Sequence, residues 1–421
     1  MRHEIADDSR ETLVDSGDTS LLPRSKLSNV CSDSEHYEGV WLGQSISRAP
    51  LRMTTLRLLA DDLTGALDTA AAFVPLTGDV PSFWVGSPPD RLPGNAAIDA
   101  ATRELSRTDA VARHHALAGA LAQAGISFKK IDSLLRGHTF AEIAACFSTG
   151  LWRHVVLAPA FPFQGRVTRG GCQFRLDAPG GGQNVGDLVA AIQHEGLVVQ
   201  IGQPGERLAP GVTVFDAEID TDLQAAVRRG LTADGRVLWC GSAGLAQALV
   251  AVLAPEDALP SAPLRGPVLG LFGSDQDVTA QQIANCAPYA LRLGHSDVED
   301  VITRLTRDHA AMISFDLPEN TQRDTAATLI HDRIAALLPH LPKPGTLVVA
   351  GGETLRAICD LLGAHRLDVT GSFLPGVPRS IMRGGAWDGV DIISKSGAFG
   401  APTLLCDLLH QAGIAFERTA S

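Results

Sequence analysis

Short apolar runs recur along this chain, and most are followed by a stretch rich in Ala and Leu. This alternation limits the possible folds more than any other feature. Four to six consecutive apolar residues suit a strand buried on both faces, and Ala/Leu-rich stretches suit helices. Their alternation therefore implies βα units and a mainly parallel sheet. The runs Leu56–Ala60, Ser82–Val85, Ala96–Asp99, Val155–Ala158, Val212–Phe215 and Val237–Cys240 fit the strands, and Asp109–Ala124 and Thr139–Cys146 fit the helices. Residues 254–266 are Pro-rich and polar at their start and read as a linker. A second block then begins with Pro267–Phe272, a helix near Thr279–Asn285, Ala310–Phe315, a helix near Asp324–Leu338, and Thr346–Ala350. The 421 residues are enough for more than one core at about 100–200 residues per domain. The expected architecture is α/β with two domains, residues 53–253 and 267–421, each a mainly parallel sheet flanked by helices.

Residues 1–52 differ from the rest. They are rich in Ser, Asp, Glu and Arg, lack apolar periodicity, and are expected to form a disordered extension. Met53 stands directly before the first strand and is the expected start of the native protein, so a native peptide beginning upstream of it would refute this. The formal net charge of -12 disfavours a broad nucleic-acid or anionic-membrane surface. The seven cysteines are scattered with no Cys-x-x-Cys pair, the usage expected of reduced thiols in a cytoplasm. No apolar run reaches the ~20 residues of a membrane helix.

Chemistry-bearing residues cluster where apparent strands end. The stretch Leu56–Ala71 reads as strand, then Asp61-Asp62-Leu63-Thr64-Gly65, then helix. Ligands of α/β folds bind beyond the carboxyl ends of strands. Two adjacent acids there repel unless a cation, an Arg or Lys, or a hydroxylated ligand lies between them. A polyol or metal site and a plain Asp/Thr helix cap both fit this segment. Lys129–His138 follows another strand; Lys130 and Arg136 suit a carboxylate or phosphate, and Asp132 and Ser133 suit hydroxyls. Phe161–Gly171 is a Gly/Pro loop that carries Arg166 and Arg169. Gly351-Gly352-Glu353-Thr354 links a strand to a helix, and Lys395-Ser396-Gly397-Ala398-Phe399-Gly400 reads the same way. With Gly273-Ser274 after a third strand, these loops favour a nucleotide site. The chain has no Walker A loop, no dinucleotide-binding Gly-x-Gly-x-x-Gly, no Gly-x-Ser-x-Gly elbow and no His cluster at metal spacing.

In order, these stretches resemble the four-carbon acid sugar kinase family. Ala60–Ala66 matches its Ala-Asp-Asp-x-Thr-Gly-Ala. Lys130–Gly137 matches its Lys-x-Asp-Ser-Thr-Leu-Arg-Gly, with Leu134 for Thr, and His138 follows where Asn is usual. Ala160–Thr168 matches its Ala-Phe-Pro…Gly-Arg-x-Thr, and Gly273-Ser274, Gly351–Thr354, Pro375–Pro378 and Lys395–Gly400 match its C-terminal motifs. The resemblance implies ATP-dependent phosphorylation of a small sugar acid such as threonate, erythronate or 3-oxo-tetronate. It implies a substrate-binding N-terminal domain, a nucleotide-binding C-terminal domain, and an active site in the cleft between them. Asp61, Asp62, Lys130, Asp132, Ser133, Arg136 and Arg166 become the substrate-side candidates, with Asp62 the expected proton acceptor. Ser274, Gly351, Gly352, Glu353, Thr354, Gly397 and Gly400 become the nucleotide-side candidates, and Lys395 joins them on charge. ATP and Mg²⁺ are the implied cofactors, Mg²⁺ being held mainly by phosphates with no dedicated protein metal site. A homodimer is compatible with this reading. The stretch Cys172–Gly182 is short beside the family's, which implies a different or larger acid, or an impaired enzyme, if it helps form the pocket. The rivals are an ATP-dependent carboxylate-activating enzyme and a sensor without turnover.

Overall fold

The computed structural model describes residues 54–414 apart from 87–90, 177–181, 204, 255–261, 274–275, 295–297 and 319–320. The expected N-terminal extension with Met53, most of the expected linker, Ser274, and Gly180 and Gly181 lie outside the described residues.

In the N-terminal half the chain runs β1 (Leu56–Ala60), α1 (Leu63–Thr77), β2 (Val80–Trp84), β3 (Ala96–Asp99), α2 (Arg107–Leu121), β4 (Ile126–Lys130), α3 (Thr139–Phe147) and β5 (His154–Ala158). It continues through β6 (Arg166–Arg169), β7 (Cys172–Arg175), β8 (Gln183–Asp187), α4 (Leu188–His194), β9 (Val199–Ile201), β10 (Gly211–Val214), α5 (Asp220–Leu231), β11 (Val237–Gly241) and α6 (Ala243–Leu253). The C-terminal half opens with β12 (Val268–Phe272), α7 (Asp277–Asn285), β13 (Ala290–Leu293), α8 (Val298–Arg307), β14 (Ala310–Phe315) and α9 (Arg323–Leu337). It closes with β15 (Thr346–Ala350), α10 (Gly352–Leu362), β16 (Arg366–Leu374), β17 (Val377–Arg383), β18 (Asp391–Lys395) and α11 (Leu404–Gln411).

Eight strands of the N-terminal half pair in parallel in the order β2-β3-β1-β4-β11-β5-β10-β9. Five strands of the C-terminal half do the same in the order β13-β14-β12-β15-β18. The alternating apolar runs predict both sets. The hairpin β16–β17 escapes them. It pairs antiparallel with β18 on one side and with β2 on the other, which joins the two sets into one 15-stranded sheet. Strands β6, β7 and β8 form a separate antiparallel ribbon where the sequence suggests only a Gly/Pro loop. The Lys395–Gly400 loop also differs from its expected form, because the next helix begins only at Leu404.

Helix α1 packs closely on the sheet because its buried positions are mostly small: Gly65, Ala66, Ala70 and Ala71, beside Leu63, Leu67 and Phe73. The Phe73 ring meets Phe128 of β4 edge-on, with centroids 5.4 Å apart. Strand β4 then sends its two lysines to opposite faces, as the pleat requires. Phe128 and Lys130 face α1, while Lys129 points to the opposite face, where its Nζ meets Glu142 of α3 (2.9 Å).

Candidate functional site

Parallel strands bring their carboxyl ends, and the turns that follow, to one edge of the sheet. Asp61 and Asp62 follow β1, and Asp62 caps α1 through a bond from Gly65 N–H to its Oδ1 (3.1 Å). The helix-cap reading is therefore correct as far as it goes. The same two acids also hold an arginine that the motifs did not reveal. Arg103 donates from Nε to Asp61 Oδ2 (2.7 Å) and from Nη2 to Asp61 Oδ1 (3.0 Å) and Asp62 Oδ1 (2.8 Å). It lies in the turn after β3, the strand paired with β1, and the Thr102 and Arg103 amides bond Asp61 O. Burial would lower the Arg103 pKa, but Asp61 and Asp62 outweigh it and raise the value, so the guanidinium stays charged. The signal available in the sequence was a charge just past the end of a neighbouring strand. Burial raises the Asp62 pKa, and Arg103 opposes that rise.

The loop after β4 is organised around Asp132. Its carboxylate accepts from Leu134 N (3.0 Å), from Arg136 N (3.2 Å), and from the Arg136 guanidinium through Nε (3.0 Å) and Nη2 (2.7 Å). Burial would raise the Asp132 carboxyl pKa, but Arg136, Arg103 and Lys130 pull it well below the usual carboxylate range. Arg136 therefore reaches the cavity already paired along one edge, with its side chain 61% exposed. Ser133 is braced from the ribbon: Gln173 Nε2 donates to Ser133 O (2.9 Å), and Thr168 Oγ1 donates to Gln173 Oε1 (2.7 Å). Lys130 lies across Gly65, where an added Cβ would stand 3.1 Å from Lys130 Nζ and 2.6 Å from Asp62 Oδ1. Glycine at 65 is thus needed for close approach. Arg166 borders the same cavity and donates to Gln164 O (2.7 Å).

Two further acids line the cavity without a sequence motif to mark them. Asp68 lies on α1, and burial pushes its carboxyl up to about 6 against the opposing pull of Lys130 and the Gly376 amide. Asp99 ends β3, and burial pushes it up to about 7 although its Oδ1 accepts from Ala101 N (2.7 Å).

The facing wall comes from the C-terminal half. Gly351 has φ +100 and precedes α10, and its N–H donates to Lys395 O (2.9 Å). A Cβ on Gly352 would stand 2.7 Å from Thr64 Oγ1, and one on Gly273 would stand 2.6 Å from Thr354 Oγ1. Gly400 has φ +100, and a Cβ there would meet Leu404 at 2.5 Å. These positions favour glycine, which lets the backbone pack closely at the start of α10 and in the loops beside it. Leu317, Ile330, Ile334, Ala326 and Ala357 add an apolar wall beside them.

The sequence reading needs one correction. Lys395, expected to face phosphate, does not line the cavity and is 1% exposed. Its ammonium donates instead to Thr279 Oγ1 (2.9 Å), Ser396 O (3.0 Å) and Gly397 O (3.3 Å), and burial pushes its pKa down to about 8. The carbonyls of its own loop turn back over the charge, so Lys395 shapes the loop from beneath. Apart from Lys395, from Arg169, which pairs with Glu218 (2.7 Å) away from the cavity, and from Ser274 outside the described residues, every expected site residue borders one cavity of about 1540 Å³ shared by both halves.

Residues 56–187 match a family model described as a sugar-binding N-terminal domain, and residues 269–405 match one described as a nucleotide-binding C-terminal domain. A D-threonate kinase of Cupriavidus necator is 31% identical over 411 residues, covering 83% of this chain and 95% of that protein. A D-threonate kinase of Bordetella bronchiseptica is 29% identical over 393 residues, with 83% and 95% covered. A solved structure from Salmonella typhimurium shares the fold, with a TM-score of 0.66 and 20% identity over 85% of this chain and 98% of that one.

Proposed function

This chain belongs to the four-carbon acid sugar kinase family, and from that premise we propose that it transfers a phosphoryl group from ATP to a hydroxyl of a tetronate, with D-threonate the first acid to test. The observation that carries this reading is the single cavity, with paired acids and bases on one wall and a glycine-rich cradle on the other.

A tetronate is a carboxylate followed by hydroxyls. In this reading Lys130 and the exposed edge of Arg136 hold the carboxylate, with Arg166 nearby. Asp61, Asp62, Asp132 and Ser133 receive or orient the hydroxyls, and Arg103 bridges the Asp61 and Asp62 carboxylates. Asp62 takes the proton of the reacting hydroxyl, because its cap bond and its Arg103 bond both fall on Oδ1. Gly351–Thr354, Gly397 and Gly400 form the phosphate cradle, with Ser274 the remaining nucleotide candidate. The apolar wall of α9 and α10 suits the adenine ring. ATP supplies the phosphoryl group when bound there, and Mg²⁺ spreads its charge. Among the described residues no group of three or more His, Cys, Asp or Glu gathers at metal spacing. Phosphate oxygens are the main Mg²⁺ ligands in this reading, because Mg²⁺ is usually held by few protein carboxylates plus phosphate oxygens, with Glu353 nearby. We assign the protein to the cytoplasm, which the six free described cysteines support.

The test is incubation of the purified full chain with D-threonate and Mg-ATP, followed by identification of both products. ADP together with a phosphorylated acid supports the reading. AMP with an acyl intermediate would replace it with carboxylate activation.

A further inference from the structure

Behind the cavity wall, one carboxylate joins three segments. Glu142, on α3, accepts from Thr102 Oγ1 at Oε1 (2.6 Å) and from Lys129 Nζ at Oε2 (2.9 Å). Lys129 Nζ also donates to Lys130 O (2.9 Å), where β4 ends and the Asp132 loop begins. His114 of α2 completes the cluster, with Nε2 3.5 Å from Glu142 Oε2 and Nδ1 donating to Ala110 O (3.1 Å). All four side chains are essentially inaccessible, and none lines the cavity.

A buried ion pair is seldom the most stable filling for such a space, since apolar residues of similar volume avoid the desolvation cost. A charged pair can instead fix direction, because each oxygen and each ammonium hydrogen has a set partner. Here the partners are Thr102, whose neighbour Arg103 neutralises Asp61 and Asp62, and the carbonyl of Lys130. The carboxylate itself is carried on the helix that the Asp132 loop leads into.

We propose that Glu142 and Lys129 are positioning residues that hold the Arg103 turn and the Lys130–Arg136 loop in register for the sugar acid. The assignment rests on the reading of that wall as the acid's site. Neither residue touches substrate, so each acts through Arg103, Lys130 and Asp132.

The test compares the full-length parent with the double variant Lys129→Met, Glu142→Gln. This variant removes both charges, leaves no ion unpaired, and keeps an acceptor for Thr102. Two readouts are taken: amide hydrogen exchange without ligand, and KM for D-threonate and for ATP. The expected result is a cooperatively folded variant in which peptides covering 101–105 and 131–137 exchange at least tenfold faster. KM for the acid rises at least tenfold, and KM for ATP stays within twofold. Parent-like exchange and KM in the folded variant would overturn the proposal, as would an equal rise in both KM values. Should the double variant fail to fold, Thr102→Val decides by the same readouts, with faster exchange expected at 101–105 alone. If the parent itself turns over no tetronate, the kinase reading fails, and exchange still decides the positioning role.

Discussion

Asp68 and Asp62 both lie on the α1 side of the cavity but differ in their partners. Asp62 is bound by Arg103 and a backbone amide, whereas Asp68 has only Lys130 and the Gly376 amide opposing the burial that lifts it to about 6. A raised carboxyl gains its charge as pH rises through that value, so kcat/KM for the acid should climb between about pH 5 and 7. Asp68→Asn should flatten that limb in a pH–rate profile, and an unchanged profile would remove Asp68 from the reaction. Asp62→Asn should lower kcat by about 10²–10⁴ while nucleotide affinity, measured by titration, is kept. Gly65→Ala should keep the fold and raise the KM for the acid, because the new methyl displaces Lys130 Nζ and Asp62 Oδ1. Much of this wall is legible in the sequence, since Asp61, Asp62, Asp132 and Arg136 sit in two short turns after apolar strands and Lys130 ends one of those strands. Arg103, Asp68 and Asp99 are not legible in the same way. Only strand pairing and helix packing bring them to the cavity, and neither leaves a local pattern.

The elements that carry the glycine-rich wall of the cavity, the proposed nucleotide side, depend on contacts made from behind. Thr279 of α7 donates to Gly397 O (2.6 Å) and accepts from Lys395, so one hydroxyl links the helix, the lysine and the loop. Gln282 adds bonds to Phe399 O (3.2 Å) and Ala401 O (2.9 Å). Thr279→Val removes one partner from the part-buried Gly397 carbonyl and one from the Lys395 ammonium, each of which keeps another, at a cost of about 0.5–1.5 kcal/mol per bond lost. The KM for ATP should rise about five- to tenfold in steady-state assays, with the KM for the acid unchanged. The apolar runs identify most strands and helices here, since Ala310–Phe315 and Thr346–Ala350 are found as read. The hairpin β16–β17 escapes because Gly371 and the Arg and Ser positions break its apolar alternation, and because its partner β2 is remote in sequence. The buried place of Lys395 is hidden for a similar reason, as the sequence carries its charge but not the carbonyls that surround it.

At the scale of the whole molecule, the pairing of β16 with β2 makes the two halves share one sheet, and side chains reinforce the join. Trp84 Nε1 donates to Asp360 Oδ1 (2.8 Å), and Arg356 Nη2 donates to Val85 O (3.1 Å). Opposed titrations set the pH dependence of stability. Burial would raise Glu142, but Lys129, His114 and Thr102 hold it at about 2, so its contribution is present above about pH 4.5 and lost as pH falls toward 2. Asp99 has the reverse sign. Its pKa rises from 3.8 to about 7 on folding, so its contribution is full below pH 3.8 and is lost as pH climbs through 7. The Tm of Asp99→Asn relative to the parent should therefore increase between pH 5 and 8 in matched melts, and a constant difference would contradict the burial argument. The general two-sided architecture is legible from alternation alone, while the sheet-wide splice depends on a pairing between distant segments.

The most direct test of the central claim is kcat/KM for ADP release by the full chain with Mg-ATP across sugar acids of three to six carbons. The account predicts a maximum at four carbons, with D-threonate among the acids turned over. No turnover with any four-carbon acid, or a clear maximum at another length, would contradict it.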